Sequence, residues 1–352
     1  MKNILVIDRV APYSYDYSML ENKGIGASES YMLYLFEELS NDMNITISQQ
    51  RRNDILKSQQ RRNDIVEQNN VKFIPSGYTY MSGDYDTIIF QRIPYGIKEI
   101  KSRYPKAKLI VWLHDFFEGS QWATMSKEEL QFICDNVNLL CVSEWHKENF
   151  AINLDLRKIK NYNIDFVHFF IPQPRILNEI PFDKNKLCFF SGGHKGLEFT
   201  LRVFEHLYKI NNDFRLYIGN PTYDQQYQFE NSKNAVINLN NITRDDVCNH
   251  LQSSLCALHL NKDYPETFGC VNAEANLMKT PVLCYDIGAA KEILYSPFTT
   301  KQIINPNKYR VDLNDLVHIT ETIFNWRNNY PTIFLNNKLG IENIIKWKEN
   351  IL

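Results

Sequence analysis

The sequence predicts two doubly wound α/β domains, from its length, its rhythm of short apolar runs and one proline-rich break between two sets of them. At 352 residues the chain exceeds one typical core and fits two domains of about 150 residues each. A hydrophobic fraction of 44% with 13% aromatics supplies packed interiors, which excludes global disorder.

The first set of apolar runs is "ILVID" (4–8), "DTIIFQ" (86–91), "KLIVWLHD" (108–115) and "LLCVSE" (139–144), each followed by a longer helical pattern. Continuous apolarity over so few residues suits strands buried on both faces of a parallel sheet. The rhythm restarts with "KLCFFSGG" (186–193), "FRLYIGN" (214–220), "AVINLNN" (235–241), "LCALHLN" (255–261) and "TPVLCYD" (280–286). Between the sets lies "FIPQPRILNEIPFDKNK" (170–186), read as the linker for its prolines and polar end. These marks set domains at 1–172 and 173–335, with residues 336–352 left as a closing helix.

Lys and Arg number 39 against 41 Asp and Glu, a net charge of -2, so bulk electrostatics gives no reason to expect a nucleic-acid partner. Seven cysteines show no CxxC pairing and lie mostly inside apolar runs; they read as small core residues of a reducing compartment. The start "MKNILVIDRV" lacks a secretory signal pattern, and no run approaches the roughly 20 apolar residues of a spanning helix. A cytoplasmic protein is expected, with peripheral membrane contact still open. The near-repeat "QQRRNDILKS" (49–58) and "QQRRNDIVEQ" (59–68) is too short for a solenoid unit and reads as an expanded surface segment.

The stretch "PETFGCVNAEANLMKTPVLCYD" (265–286) holds the chemistry. A helix over about 269–279, stepped at about 100° per residue, gathers Asn272, Asn276 and Lys279 on one side. Glu274 falls opposite, among Cys270, Val271, Leu277 and Met278, where an unpaired carboxylate costs several kcal/mol. Its partners are therefore either backbone amides of a neighbouring loop or hydroxyls of a ligand. Glu266 precedes the helix, and at about 1.5 Å per residue the two carboxylates sit roughly 10 Å apart, too far to share a proton. That span suits two sugar-like rings of one extended ligand, with a diphosphate at the helix N-terminus where free amides favour anions.

The Glu-x7-Glu of "PETFGCVNAE", followed by "KTPVLCYDIGAAKEIL", resembles the donor site of retaining glycosyltransferases of family 4, which have the GT-B fold. That fold consists of two Rossmann-like doubly wound domains facing a central cleft. "GIGASESYMLYLFEEL" (24–39) is similar to the family's N-terminal glycine loop and helix, and "LIVWLHD" ends where it has an active-site histidine. "CVSEWHKENF", "FFSGGHKGLEF" (189–199) and "LYIGNP" (216–221) resemble further pieces in the same order.

The resemblance implies a nucleoside-diphosphate-sugar donor, a hydroxyl of a glycan or related acceptor, no metal or other cofactor, and a closing helix (336–352) that packs back on the first domain. It makes His114, Lys195 and Glu266 catalytic. Glu266 would hold donor-sugar hydroxyls, Glu274 the ribose hydroxyls, and Phe268, Gly269 and Cys270 would offer amides near sugar and phosphates. Gly24, Gly26, Gly193 and Gly219 complete the donor-binding set. Lys195 would stabilise charge on the departing diphosphate. His114, at a strand end where open α/β sheets bind ligands, would face the sugar's reacting carbon; otherwise it is a core-edge histidine bonded to a carbonyl. Ser28 and Ser143 are candidate helix caps. One departure from the family is Phe190, Ser191 and Gly192 where it usually has an Arg; Arg92 or Arg202 could substitute.

Rival readings are weaker. Asp84 and Asp86 match a metal-binding Asp-x-Asp but abut a buried strand. "GIGASE" lacks the third glycine and the later acid of a nicotinamide site. Eight histidines show no zinc spacing. A nucleotide-sugar epimerase, a phosphorylase, or a binding protein without catalysis would share much of the pattern.

Overall fold

The computed structural model describes residues 1–22, 25–49, 65–77, 81–219, 234–240, 242–294, 303–304 and 313–351. Gly24 and most of the repeated segment lie outside the described residues. Two compact units emerge: 1–18, 28–170 and 340–352 form unit 1, and 19–27 with 171–339 form unit 2. The division at 170/171 lies within two residues of the expected boundary. The expected first domain included 19–27, which cluster instead with unit 2, and the expected closing segment began a few residues earlier than 340.

Unit 1 runs β1 (Lys2–Ile7), α1 (Tyr17–Asn22), α2 (Ala27–Leu39), β2 (Met43–Gln49), β3 (Val66–Gln68), β4 (Val71–Pro75) and β5 (Thr87–Gln91), though most of α1 and the first residue of α2 are grouped with unit 2. It continues with α3 (Ile97–Arg103), β6 (Lys108–Trp112), α4 (Gln121–Thr124), α5 (Lys127–Cys134), β7 (Asn138–Cys141), α6 (Glu144–Leu156) and β8 (Asn163–Phe166). The strand order is β3-β4-β2-β1-β5-β6-β7-β8. All neighbours are parallel except β3 and β4, a short antiparallel edge. Successive connections run outward from β1 to β2 and from β5 to β6, so the order reverses between β1 and β5.

Unit 2 runs β9 (Asp183–Phe189), α7 (Leu197–Ile210), β10 (Arg215–Ile218), β11 (Val236–Asn238), α8 (Arg244–Gln252) and β12 (Ser254–His259). Then come α9 (Cys270–Leu277), β13 (Val282–Tyr285), α10 (Ala290–Leu294), β14 (Ile303–Ile304) and α11 (Leu313–Asn328). Its sheet is wholly parallel in the order β11-β10-β9-β12-β13-β14, with the reversal between β9 and β12. The polar end of the presumed linker belongs to β9, whose first residues are exposed.

Both faces of this sheet are buried, as continuous apolar strands require. Leu187, Phe189, Leu216, Leu258 and Leu283 join a core with α7 and α11, while Cys188, Ala257, Val282 and Cys284 point into a second. Six of the seven cysteines are buried and none is paired in a disulfide. The chain closes with α12 (Glu342–Ile351), which returns to unit 1. Trp347 packs edge-on against Trp112 at 4.4 Å, and Thr87 donates to the Ile351 carbonyl at 2.8 Å. Among the described residues no helix is long and apolar enough to cross a membrane.

Candidate active site

In unit 2 the loops leaving β9 and β12 meet at the reversal of strand order, the position where open α/β sheets bind ligands. Gly196 caps α7 in a left-handed conformation (φ 91°), and a side chain there would lie 2.4 Å from the Leu260 carbonyl. Only a glycine lets the two loops approach so closely. The consequence is electrostatic. Lys195 Nζ reaches Glu266 Oε1 at 2.9 Å and Oε2 at 3.1 Å, joining residues far apart in sequence.

A third group completes this cluster. His259 ends β12, is 5% exposed, and turns Nε2 to within 3.5 Å of Glu266 Oε1. Its Nδ1 lies 2.9 Å from Asn272 Oδ1 in the first turn of α9. Burial alone would raise the Glu266 carboxyl, but the His259 contact and the Lys195 charge prevail and hold it at about 2. The backbone is gripped as well. Ala289 N–H donates to the Glu266 carbonyl at 2.9 Å, and the left-handed Gly288 (φ 62°) packs so tightly that a Cβ would sit 2.4 Å from that oxygen.

Helix α9 begins after Gly269 (φ 86°) and packs between α8 and α10. Residues 272–276 are buried without a break, so the side that carries Asn272 and Asn276 also faces inward. Both are satisfied: Asn272 on His259, Asn276 on the Phe334 carbonyl at 3.0 Å and the Asn336 N–H at 2.8 Å. Glu274, 7% exposed, has a protein partner that was not expected: Arg244 Nε stands 3.2 Å from its Oε1. Arg244 Nη2 also donates to the Pro172 carbonyl at 2.6 Å. The Cys270 thiol is pushed well up by burial, with Glu274 and Glu266 adding to the effect.

The other expected donor residues take varied places. Gly193 and Phe268 are buried in the loops before α7 and α9, and Gly219 follows β10 packed against Phe190. Gly26 lies just before α2 and groups with unit 2. Arg202 is exposed on α7. Ser28 falls inside the first turn of α2 instead of capping it. Ser143 is a cap, accepting from His146 N–H at 3.0 Å.

In unit 1, His114 follows β6 with 5% exposure, its ring 4.6 Å from Trp112 and 5.2 Å from Phe169. Burial, then Arg92 and His146, push its pKa well down, so the ring is neutral. His146 holds the same loop: its Nε2–H donates to the Asp115 carbonyl at 3.0 Å while Nδ1 accepts from Val142 N–H at 3.5 Å.

The sequence reading left unremarked a polar cluster at the reversal between β1 and β5. Asp8 follows β1 and accepts from Tyr15 Oη at 2.6 Å. Arg92 follows β5 in a left-handed conformation and pairs with Glu29 at 3.3 Å and Asp115 at 3.2 Å. Burial raises Glu29 while Arg92 opposes the rise. Arg92, a possible stand-in for the family's missing arginine, is thus engaged by two carboxylates of its own unit. Asp86 of the Asp-x-Asp match accepts from Asn3 N–H at 2.8 Å and lies 3.7 Å from Lys2 Nζ, a structural place beside β1.

His259 carried the same sequence signal as His114, a histidine ending a buried strand. Arg244 carried none, because it opens a helix whose apolar pattern says nothing of a distant acid.

Residues 178–318 match the family model described as Glycosyl transferases group 1. Over the whole chain the structure is similar to sucrose-phosphate synthase (tll1590) from Thermosynechococcus elongatus, with a TM-score of 0.71, 14% identity and coverage of 100% of this chain and 98% of that one. It is also similar to Anabaena Alr3699/HepE, solved in complex with UDP-glucose, with a TM-score of 0.65, 14% identity and coverage of 100% and 98%. The pneumococcal O-GlcNAc transferase GtfA, solved with UDP and GlcNAc, aligns with a TM-score of 0.65, 10% identity and coverage of 99% and 98%. No curated protein matches the sequence. The chain therefore has the GT-B fold, and the segment that matches the glycosyltransferase family model, residues 178–318, is the one that carries the Lys195–Glu266–His259 cluster.

Proposed function

We propose that the chain is a retaining glycosyltransferase that moves a sugar from a nucleoside diphosphate to a hydroxyl of a glycan or related acceptor. The observation that carries this reading is the Lys195–Glu266–His259 cluster at the strand-order reversal of the matched domain. A departing diphosphate gains negative charge as its bond to the sugar breaks. An ammonium group and the amides at the start of α9 stabilise that charge as it forms, so the proposed reaction needs no metal. Glu266, ionised at neutral pH, accepts hydrogen bonds from sugar hydroxyls. Glu274 is assigned the ribose hydroxyls, a role it would share with its bond to Arg244. His114, neutral and packed between rings, is assigned to the reacting end of the sugar by resemblance. Retention too rests on the resemblance.

Because HepE and GtfA were solved with UDP, uridine nucleotides are the first donors to test. The decisive assay follows UDP release from UDP-glucose and UDP-GlcNAc with and without added glycan. Turnover in the wild type that disappears in Lys195→Ala and Glu266→Gln supports transfer, and the anomeric configuration of the product decides retention. The rival is a nucleotide-sugar-binding protein without turnover, favoured by Phe190, Ser191 and Gly192 standing where the family has an arginine. Tight donor binding with no release under any acceptor would establish it.

A further inference from the structure

Lys195 has two tasks in the reading above, and they draw one ammonium group towards two anions. It neutralises Glu266, both of whose oxygens it contacts at 2.9 and 3.1 Å, and it must meet the leaving diphosphate. The Glu266 side chain is only 20% exposed, so a carboxylate abandoned there loses charge compensation where water replaces little of it.

We propose that His259 is the positioning residue that keeps the Glu266 carboxylate oriented when Lys195 turns to the diphosphate, with Asn272 fixing the imidazole. This rests on the assignment of Glu266 to the donor sugar and Lys195 to the diphosphate.

The ring is held from both ends. His259 is 5% exposed at the end of β12, and Asn272, 1% exposed, lies in α9. With a carboxylate 3.5 Å from Nε2, the proton belongs on that nitrogen; a lone pair there would face a negative charge. Nδ1 then either accepts from the Asn272 amide nitrogen or, in the imidazolium, donates to its oxygen. Both arrangements leave Nε2–H directed at Glu266. The backbone is equally fixed. Gly196 seats the Lys195 loop against Leu260, and Gly288 with Ala289 clasps the Glu266 peptide. Strand, helix and loop are thus anchored, and the long Lys195 side chain is the member of the cluster able to change partners. The ionisable groups about Glu266 are Lys195, His259 and the Cys270 thiol, and of these His259 alone is both locked in place and able to donate to a carboxylate.

The test separates nucleotide from sugar. His259→Leu and His259→Gln in the full chain are compared with wild type for UDP affinity by calorimetry and for kcat/KM of UDP-glucose or UDP-GlcNAc over pH. His259→Leu is expected to leave UDP affinity within about twofold and to lower kcat/KM about 10- to 100-fold, by analogy with the loss of a residue that orients a metal ligand. Its acid limb should move to higher pH, since Glu266 loses a group that favours its ionised form. His259→Gln, which keeps an N–H donor, should recover part of the loss. Equal losses of UDP and UDP-sugar recognition, or a Gln variant no better than Leu with an unmoved acid limb, overturn the proposal.

A second measurement needs neither turnover nor a folded His259 variant. Nitrogen NMR of the imidazole is expected to show Nε2 protonated at pH 7 to 8 and to shift on Glu266→Gln. A ring protonated on Nδ1 alone, or one indifferent to that substitution, refutes it. Should wild type neither bind nor turn over nucleotide sugars while the NMR coupling holds, the donor reading fails and the His259–Glu266 link stands.

Discussion

Arg244 Nε lies 3.2 Å from Glu274 Oε1, with both side chains below 10% exposure. This ion pair explains how a carboxylate is carried in the middle of a buried helix. Removing one partner takes away the opposite charge that the other meets in a buried place, at a cost of up to about 3–5 kcal/mol. Arg244→Ala is therefore expected to destabilise the fold by that order, and Arg244→Met with Glu274→Gln to cost less than the two singles summed. A double-mutant cycle by chemical denaturation measures the coupling; additive effects would show that the pair contributes nothing jointly.

Glu266 holds the Lys195 ammonium group with both carboxylate oxygens, at 2.9 and 3.1 Å. Glu266→Gln releases the ammonium group, so this variant should bind UDP at least as tightly as wild type while losing sugar transfer by about 100-fold or more. Calorimetry with UDP and a UDP-release assay on the same preparation test the pairing. Loss of UDP affinity in the variant would assign Glu266 to the nucleotide.

Gly288 tolerates no side chain. Its φ of 62° disfavours other residues, and a Cβ would lie 2.4 Å from Glu266 O and 2.6 Å from Glu266 N. Gly288→Ala should cost about 1–3 kcal/mol from backbone strain and crowding and displace Glu266. A lowered Tm together with a raised KM for the nucleotide sugar is the expected pair of results, and an unchanged KM would detach this clasp from the site.

His146 is fully buried and its pKa is held down at about 4, chiefly by burial. The unfolded chain, with an ordinary histidine pKa near 6.5, binds a proton that the folded chain refuses between those values. Stability is therefore complete above about pH 6.5 and is lost as pH falls towards 4, by about 3 kcal/mol at most for this group. His146→Gln should flatten that part of the stability profile in urea melts at stepped pH. An unaltered slope would place the acid sensitivity elsewhere.

Much of the fold was legible because a buried parallel strand writes itself as an unbroken apolar run. All nine such runs became strands, from "ILVID" in β1 to "TPVLCYD" in β13. Strands missed were those without that signature: β2 and β4, whose apolar residues are interrupted by Asn44, Thr46 and Lys72, β8, with alternate residues exposed, and the short β3 and β14 at sheet edges. Helix α9 was placed within a residue or two, but its polar side was not read as buried. A helical wheel describes one helix and cannot say that α8 and α10 flank it.

The sequence by itself determined the alternation of strand and helix, the two-unit division, the strand-end position of His114 and the choice of Glu266 and Lys195 as charged candidates for the site. Only the tertiary structure decided what those charges meet. Lys195 is joined to Glu266 by the switch in strand order between β9 and β12, His259 to Asn272 by the packing of α9, and Glu274 to Arg244 by the packing of α8 on α9. Local patterning sets which residues turn inward. Which distant partner awaits them depends on topology, and the short-range forces that pair charges act only once the fold has brought them within a few ångströms.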